Sequence, residues 1–92
     1  PLQYVIVRVG RYDVRVEHPE VWLDIMSKLW TRYQYTEVGE VMRRRYGQGE
    51  NPRKSQIDMD IRRDEYYRLR NVLLNDAALM AAAKGIIKID GR

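Results

Sequence analysis

The side chains best placed by type and spacing to do chemistry lie between positions 43 and 54. Arg43, Arg44, Arg45, Arg53 and Lys54 are cations and Glu50 is the one acid among them, so this segment alone accounts for the formal net charge of +4. Over the rest of the chain, acids and bases are equal in number. Positive charge gathered on one segment, with Gly47, Gly49 and Pro52 at its tip, makes a local field that attracts phosphates. Tyr46 adjoins the arginine run and offers a ring on which an unpaired base can stack. Solvated charge guarding a strand edge, or an acidic protein surface as partner, are the competing readings of the same run.

A second constellation is Asp58-Met59-Asp60. On a strand both carboxylates share one face, where they could hold a divalent cation for phosphoryl chemistry. A third acidic ligand would have to come from Asp64 or Asp90 by folding, and the simpler reading is the polar face of a half-solvated strand. Gly47-Gln48-Gly49 lacks the third glycine and the lysine–hydroxyl pair of a phosphate loop and reads as a turn. His18 is the lone histidine and the chain has no cysteine, which excludes disulfides, thiolate metal sites and cysteine nucleophiles. Ser27 and Ser55 have no evident histidine partner. No enzymatic activity, metal or cofactor is expected.

These side chains must be positioned by a chain of 92 residues, which is one domain. Hydrophobic residues make up 45% and charged residues 33%, a globular composition with no apolar run long enough to span a membrane. The stretch from Pro1 to Arg11 lacks a signal-peptide layout, and the absence of cysteine suits a reducing, cytoplasmic setting.

Alternation over the first seventeen residues predicts a β-hairpin. A two-residue turn at Gly10-Arg11 pairs Val9 with Tyr12, Val7 with Val14 and Val5 with Val16, and sets Arg8 opposite Asp13. Pro19 opens a helix to Tyr33, with Trp22, Ile25, Met26, Leu29, Trp30 and Tyr33 on its apolar face. Residues 36–46 fit either a helix capped by Thr36 or a strand. The alternation of Gln56 to Ile61 asks for a partner strand, and Gly39 weakens a helix, so the strand is chosen. Asp64 is expected to cap a helix running to Lys84, with Tyr66, Leu69, Leu73, Ala77 and Met80 buried, a break at Asn75-Asp76, and a closing strand over 86–89.

The resulting order, ββαββαβ, predicts a single α+β domain over 1–92: a mostly antiparallel, ferredoxin-like sheet with two helices on one face. The alternative is an N-terminal hairpin followed by a helix-turn-helix-like pair and a basic wing. The function expected is non-enzymatic binding of DNA or RNA through the arm 43–54, with Arg43, Arg44, Arg45, Arg53 and Lys54 on phosphates and Tyr46 as a stacker. A homodimer or larger homo-oligomer, assembled through the open sheet face, is the second expectation.

Overall fold

The computed structural model describes residues 4–9 and 11–87. Strands β1 (Tyr4–Val9) and β2 (Tyr12–Glu17) pair antiparallel, with Val5 opposite Val16, Val7 opposite Val14, Arg8 opposite Asp13 and Val9 opposite Tyr12. That is the register a turn at Gly10-Arg11 dictates; Gly10 itself lies outside the described residues. A lone two-stranded hairpin is marginal in water. Here the second strand reaches the helices at a shallow hollow that Val16 lines with Pro19, Trp22, Leu23 and Met26.

Helix α1 spans Pro19–Tyr33. Proline suits its first turn, where the missing N–H has no intrahelical partner, and Glu20 and Arg32 lie at the ends that the helix dipole favours. His18 precedes it in the left-handed region (φ 55°), its carbonyl accepting from the Val21 and Trp22 amides at 3.0 and 3.2 Å. Ile25 and Leu29 are fully buried.

The strand expected over 36–46 is instead a helix, α2 (Glu37–Met42), continued by a π-helical turn over Arg43–Gly47. The Thr36 hydroxyl accepts from the Gly39 amide at 3.2 Å, and Val38, Val41 and Met42 are buried together at helical spacing. Gly39 is not a helix defect but a point of close approach: a Cβ there would lie 2.0 Å from the Tyr33 carbonyl oxygen. The strand expected at 56–61 is also a helix, α3 (Pro52–Met59). Asn51 caps it through its side chain, 2.8 Å from the Arg53 amide, and Pro52 occupies the first turn. The alternation there does not make a single buried face: Met59 and Ile61 pack against the core, but Ile57 is 70% exposed.

Helix α4 runs unbroken over Arg63–Ala83, through the expected break at Asn75-Asp76. Arg62, not Asp64, takes the N-cap position, without a side-chain cap. Gly85 follows the helix at φ 76°, and Ile86 and Ile87 form a bend rather than a strand; residues 88 and 89 lie outside the described residues.

The mostly antiparallel, ferredoxin-like sheet is therefore overturned: among the described residues the strands are β1 and β2 alone, and helices dominate. The open sheet face expected for assembly goes with it. Of the alternative, the N-terminal hairpin and the following helix pair are present as β1–β2 and α1–α2, but the basic wing is not, since the chain beyond the π turn enters α3. The core lies between α1, α2 and α4, where Ile25, Leu29, Val41, Tyr66, Leu69 and Leu73 meet, with Met59 and Ile61 closing one end. No helix among the described residues is long and apolar enough to cross a membrane.

Candidate polyanion-binding surface

The π turn widens the helix by one residue per bond, so the Gln48 amide bonds the Arg43 carbonyl at 2.9 Å. Its arginines then meet carboxylates from three directions. Glu40 Oε2 accepts from Arg43 Nη2 and Arg44 Nε, both at 2.6 Å. Arg44 Nη1 donates to Glu50 Oε1 at 2.8 Å and reaches Asp58 Oδ2 at 3.5 Å. Lys54 Nζ bonds Asp58 Oδ2 at 2.5 Å. Beneath them Ser55, fully buried, donates to Glu50 Oε1 at 2.7 Å.

The electrostatic consequences are mutual. The Ser55 hydroxyl and then the Arg44 guanidinium pull the Glu50 carboxyl down to about 2. Arg44, with Arg43 adding to it, also lowers Glu40, while Glu50 and Glu40 raise Arg44. Asp58 raises Lys54. The Arg44 side chain is only 18% exposed. It clamps the turn between α2 and α3.

The expected site thus divides. Arg43, Arg44 and Lys54 are joined to Glu40, Glu50 and Asp58. Arg45 is exposed and among the described residues has only a 3.5 Å hydrogen bond to the Glu50 carbonyl. Arg53 is exposed and its guanidinium has no hydrogen-bond or ion-pair partner among the described residues. Tyr46 lines a cleft with Met26, Trp30, Met42 and Arg43. Asp58 and Asp60 do not share a face: Asp58 serves Arg44 and Lys54, and Asp60 ends α3 in the left-handed region at φ 54°. No group of three metal-ligating side chains occurs among the described residues.

A second set of cations stands on α4. Arg63 and Arg70 approach the Tyr67 ring from neighbouring turns, their guanidinium carbons 5.7 and 4.7 Å from its centroid. Tyr67 in turn meets Tyr66 edge to face at 5.2 Å. Arg53 and Arg63 line one hollow with Gln56, Ile57, Asp60 and Ile61, which joins the α3 cation to those of α4. Neither Arg63 nor Arg70 has a carboxylate partner among the described residues, whereas Arg68 is held by Glu65 at 2.6 and 2.7 Å and Arg62 lies 3.7 Å from Asp64. Among the described residues two buried side-chain atoms lack a hydrogen-bond partner, Arg70 Nε and the Tyr66 hydroxyl. Burial raises the Tyr66 hydroxyl, and the positive charges of Arg45 and Arg70 oppose that rise.

Counting charge along the chain missed this strip, because Asp60, Asp64 and Glu65 cancel Arg62, Arg63 and Arg68 in sequence. Spacing was the available signal: Arg63, Tyr67 and Arg70 recur at i, i+4 and i+7, one face of a helix. No family model, no curated protein and no solved structure matches this chain.

Proposed function

We propose that this protein binds the phosphate backbone of nucleic acid, without catalysis, through the strip formed by Arg53, Arg63 and Arg70 around Tyr67. The observation carrying this reading is that these three guanidinium groups have no carboxylate partner among the described residues, while Arg53 and Arg63 share one hollow and Arg63 and Arg70 both approach the Tyr67 ring. A guanidinium already neutralised inside the molecule gains little from a phosphate, whereas an unneutralised one displaces condensed counterions and gains their release. Rigid helices hold the strip, so little ordering accompanies binding. Arg45 is a further exposed cation, and Tyr46, 46% exposed, remains available to stack on an unpaired base. Arg43, Arg44 and Lys54 of the expected arm act mainly in holding the fold. The cysteine-free composition suits a cytoplasmic setting for this role.

Fluorescence anisotropy with single- and double-stranded oligonucleotides of DNA and RNA, taken across a salt series, tests the proposal. Binding that weakens log-linearly with salt is expected. No binding of any of the four at low salt overturns it.

A further inference from the structure

Tyr66 and Arg70 stand about one turn apart on α4, and each carries a buried donor with nothing to donate to. Tyr66 is fully buried, and neither its hydroxyl nor Arg70 Nε has a hydrogen-bond partner among the described residues. A buried polar atom without a partner costs stability, so two on one helix face ask for what completes them. Residues at i and i+4 are neighbours on a helix surface, and helical side chains lean toward the N-terminus, which carries Arg70 back over the turn that holds Tyr66. The Tyr67 ring adjoins both. It meets the Tyr66 ring edge to face at 5.2 Å, and the Arg70 guanidinium carbon lies 4.7 Å from its centroid.

What is missing is an acceptor. Arg70 Nε can only donate, and the ionic charges that act most on the Tyr66 hydroxyl are two cations, Arg45 from the π turn and Arg70 from α4. A water molecule there could accept from both donors, but its own two hydrogens would face positive charge. An oxyanion has no hydrogen to place and gains from both cations.

From this arrangement we infer that Tyr66 and Arg70 form a recessed subsite for one phosphate group, with the Tyr66 hydroxyl and Arg70 Nε donating to its oxygens and Arg45 supplying countercharge. The inference deepens the reading of the α3–α4 strip and rests on it, since Arg70 belongs to both. It adds to the strip a donor that is neutral and buried. Entry requires a side chain to move, and the two cations are lightly held: Arg45 by its 3.5 Å bond to the Glu50 carbonyl, and Arg70 Nη2 by one of 3.5 Å to Asn71 Oδ1.

Tyr66→Phe removes the donor without changing charge. With the oligonucleotide that the parent binds, anisotropy should show affinity falling about tenfold, the worth of one hydrogen bond to an anion, at an unchanged salt slope. The variant should at the same time be more stable than the parent, so the loss is not one of folding. Arg70→Lys keeps the charge but not Nε, and should also lose affinity at an unchanged slope. Inorganic phosphate, exchanged for chloride at constant ionic strength, should raise the melting temperature of the parent more than that of Tyr66→Phe. Strands with a 5′-phosphate or a 5′-hydroxyl separate the sources: a loss confined to the former places a terminal phosphate in the subsite, an equal loss in both a backbone phosphate. Tyr66→Phe binding as tightly as the parent overturns the inference and leaves the strip standing. A Tyr66→Phe protein less stable than the parent overturns it too, because water then satisfies the hydroxyl. If the parent binds no oligonucleotide, the strip fails as a nucleic-acid surface and the inorganic phosphate arm decides: equal shifts in parent and variant overturn the subsite.

Discussion

Arg44 Nη1 and Glu50 Oε1 meet at 2.8 Å across the turn that links the π segment to α3. Through this pair a stretch that reads as a free cationic arm is folded back on itself, since Glu50 also accepts from the buried Ser55 and Arg44 also donates to Glu40. Replacing Arg44 with Gln removes the central donor from Glu40 and Glu50 together. The expected result is a lower melting temperature with little change in nucleic-acid affinity for the protein that remains folded, measured by thermal denaturation and anisotropy side by side.

Ser55→Ala isolates the lower half of the same knot. The hydroxyl is fully buried and bonded to a carboxylate, so its removal is expected to cost about 1–3 kcal/mol in urea denaturation. The Glu50→Gln, Ser55→Ala double variant should lose less than the sum of the two single changes, because the two residues share one interaction.

Acid should expose the knot as well. Glu50 titrates near 2 in the folded chain, against an ordinary value of 4.5. A folded-state value depressed in this way contributes stability that is complete above the ordinary value and is lost as pH falls toward 2. Glu40 is shifted in the same direction by Arg44 and Arg43. Urea midpoints should therefore fall between about pH 5 and pH 2, and Glu50→Gln should flatten that decline.

Gly39→Ala is expected to destabilise the protein, against helix propensity. Propensity alone favours alanine by about 1 kcal/mol. Yet a Cβ at this position would meet the Tyr33 carbonyl oxygen at 2.0 Å and its carbon at 2.7 Å, and these are backbone atoms that cannot swing aside. Forcing α1 and α2 apart should cost about 1–3 kcal/mol net, read from the shift in denaturation midpoint.

Tyr66→Phe should move stability the other way. The ring is fully buried in the core and its hydroxyl has no partner among the described residues, so phenylalanine keeps the packing and removes the orphaned group. A gain of about 1 kcal/mol is expected from denaturation, and a loss of similar size would mean that the hydroxyl is satisfied by bound water.

How much of this was legible in the sequence depended on whether a local pattern agreed with burial. The hairpin register followed from alternating valines and one turn, and α1 from Pro19 and its apolar face. At 56–61 the alternation was real, but Ile57 stands in solvent, so period two there reflects polar spacing rather than a sheet face. The decisive local signals were caps: Thr36 before α2, and Asn51-Pro52 before α3, which read more easily as a loop tip. The site was misjudged for the same reason. Once 37–42 and 52–59 are helices, Glu40–Arg44 and Lys54–Asp58 become i, i+4 pairs, and charge that looked surplus along the chain is neutralised in space. Conversely, Arg63 looked balanced along the chain, yet Glu65 pairs with Arg68 and Asp64 with Arg62.

The most direct test of the binding surface compares two variants of the folded protein across one salt series. Arg53→Gln, Arg63→Gln, Arg70→Gln removes the strip, while Arg43→Gln, Lys54→Gln removes two exposed members of the paired cluster. With the oligonucleotide that the parent binds, the first variant should lose most of its affinity and reduce the salt slope by about 3, roughly one for each phosphate contact removed. The second should keep the parent's slope. The reverse order, with the strip variant binding like the parent and the cluster variant failing, would contradict the account.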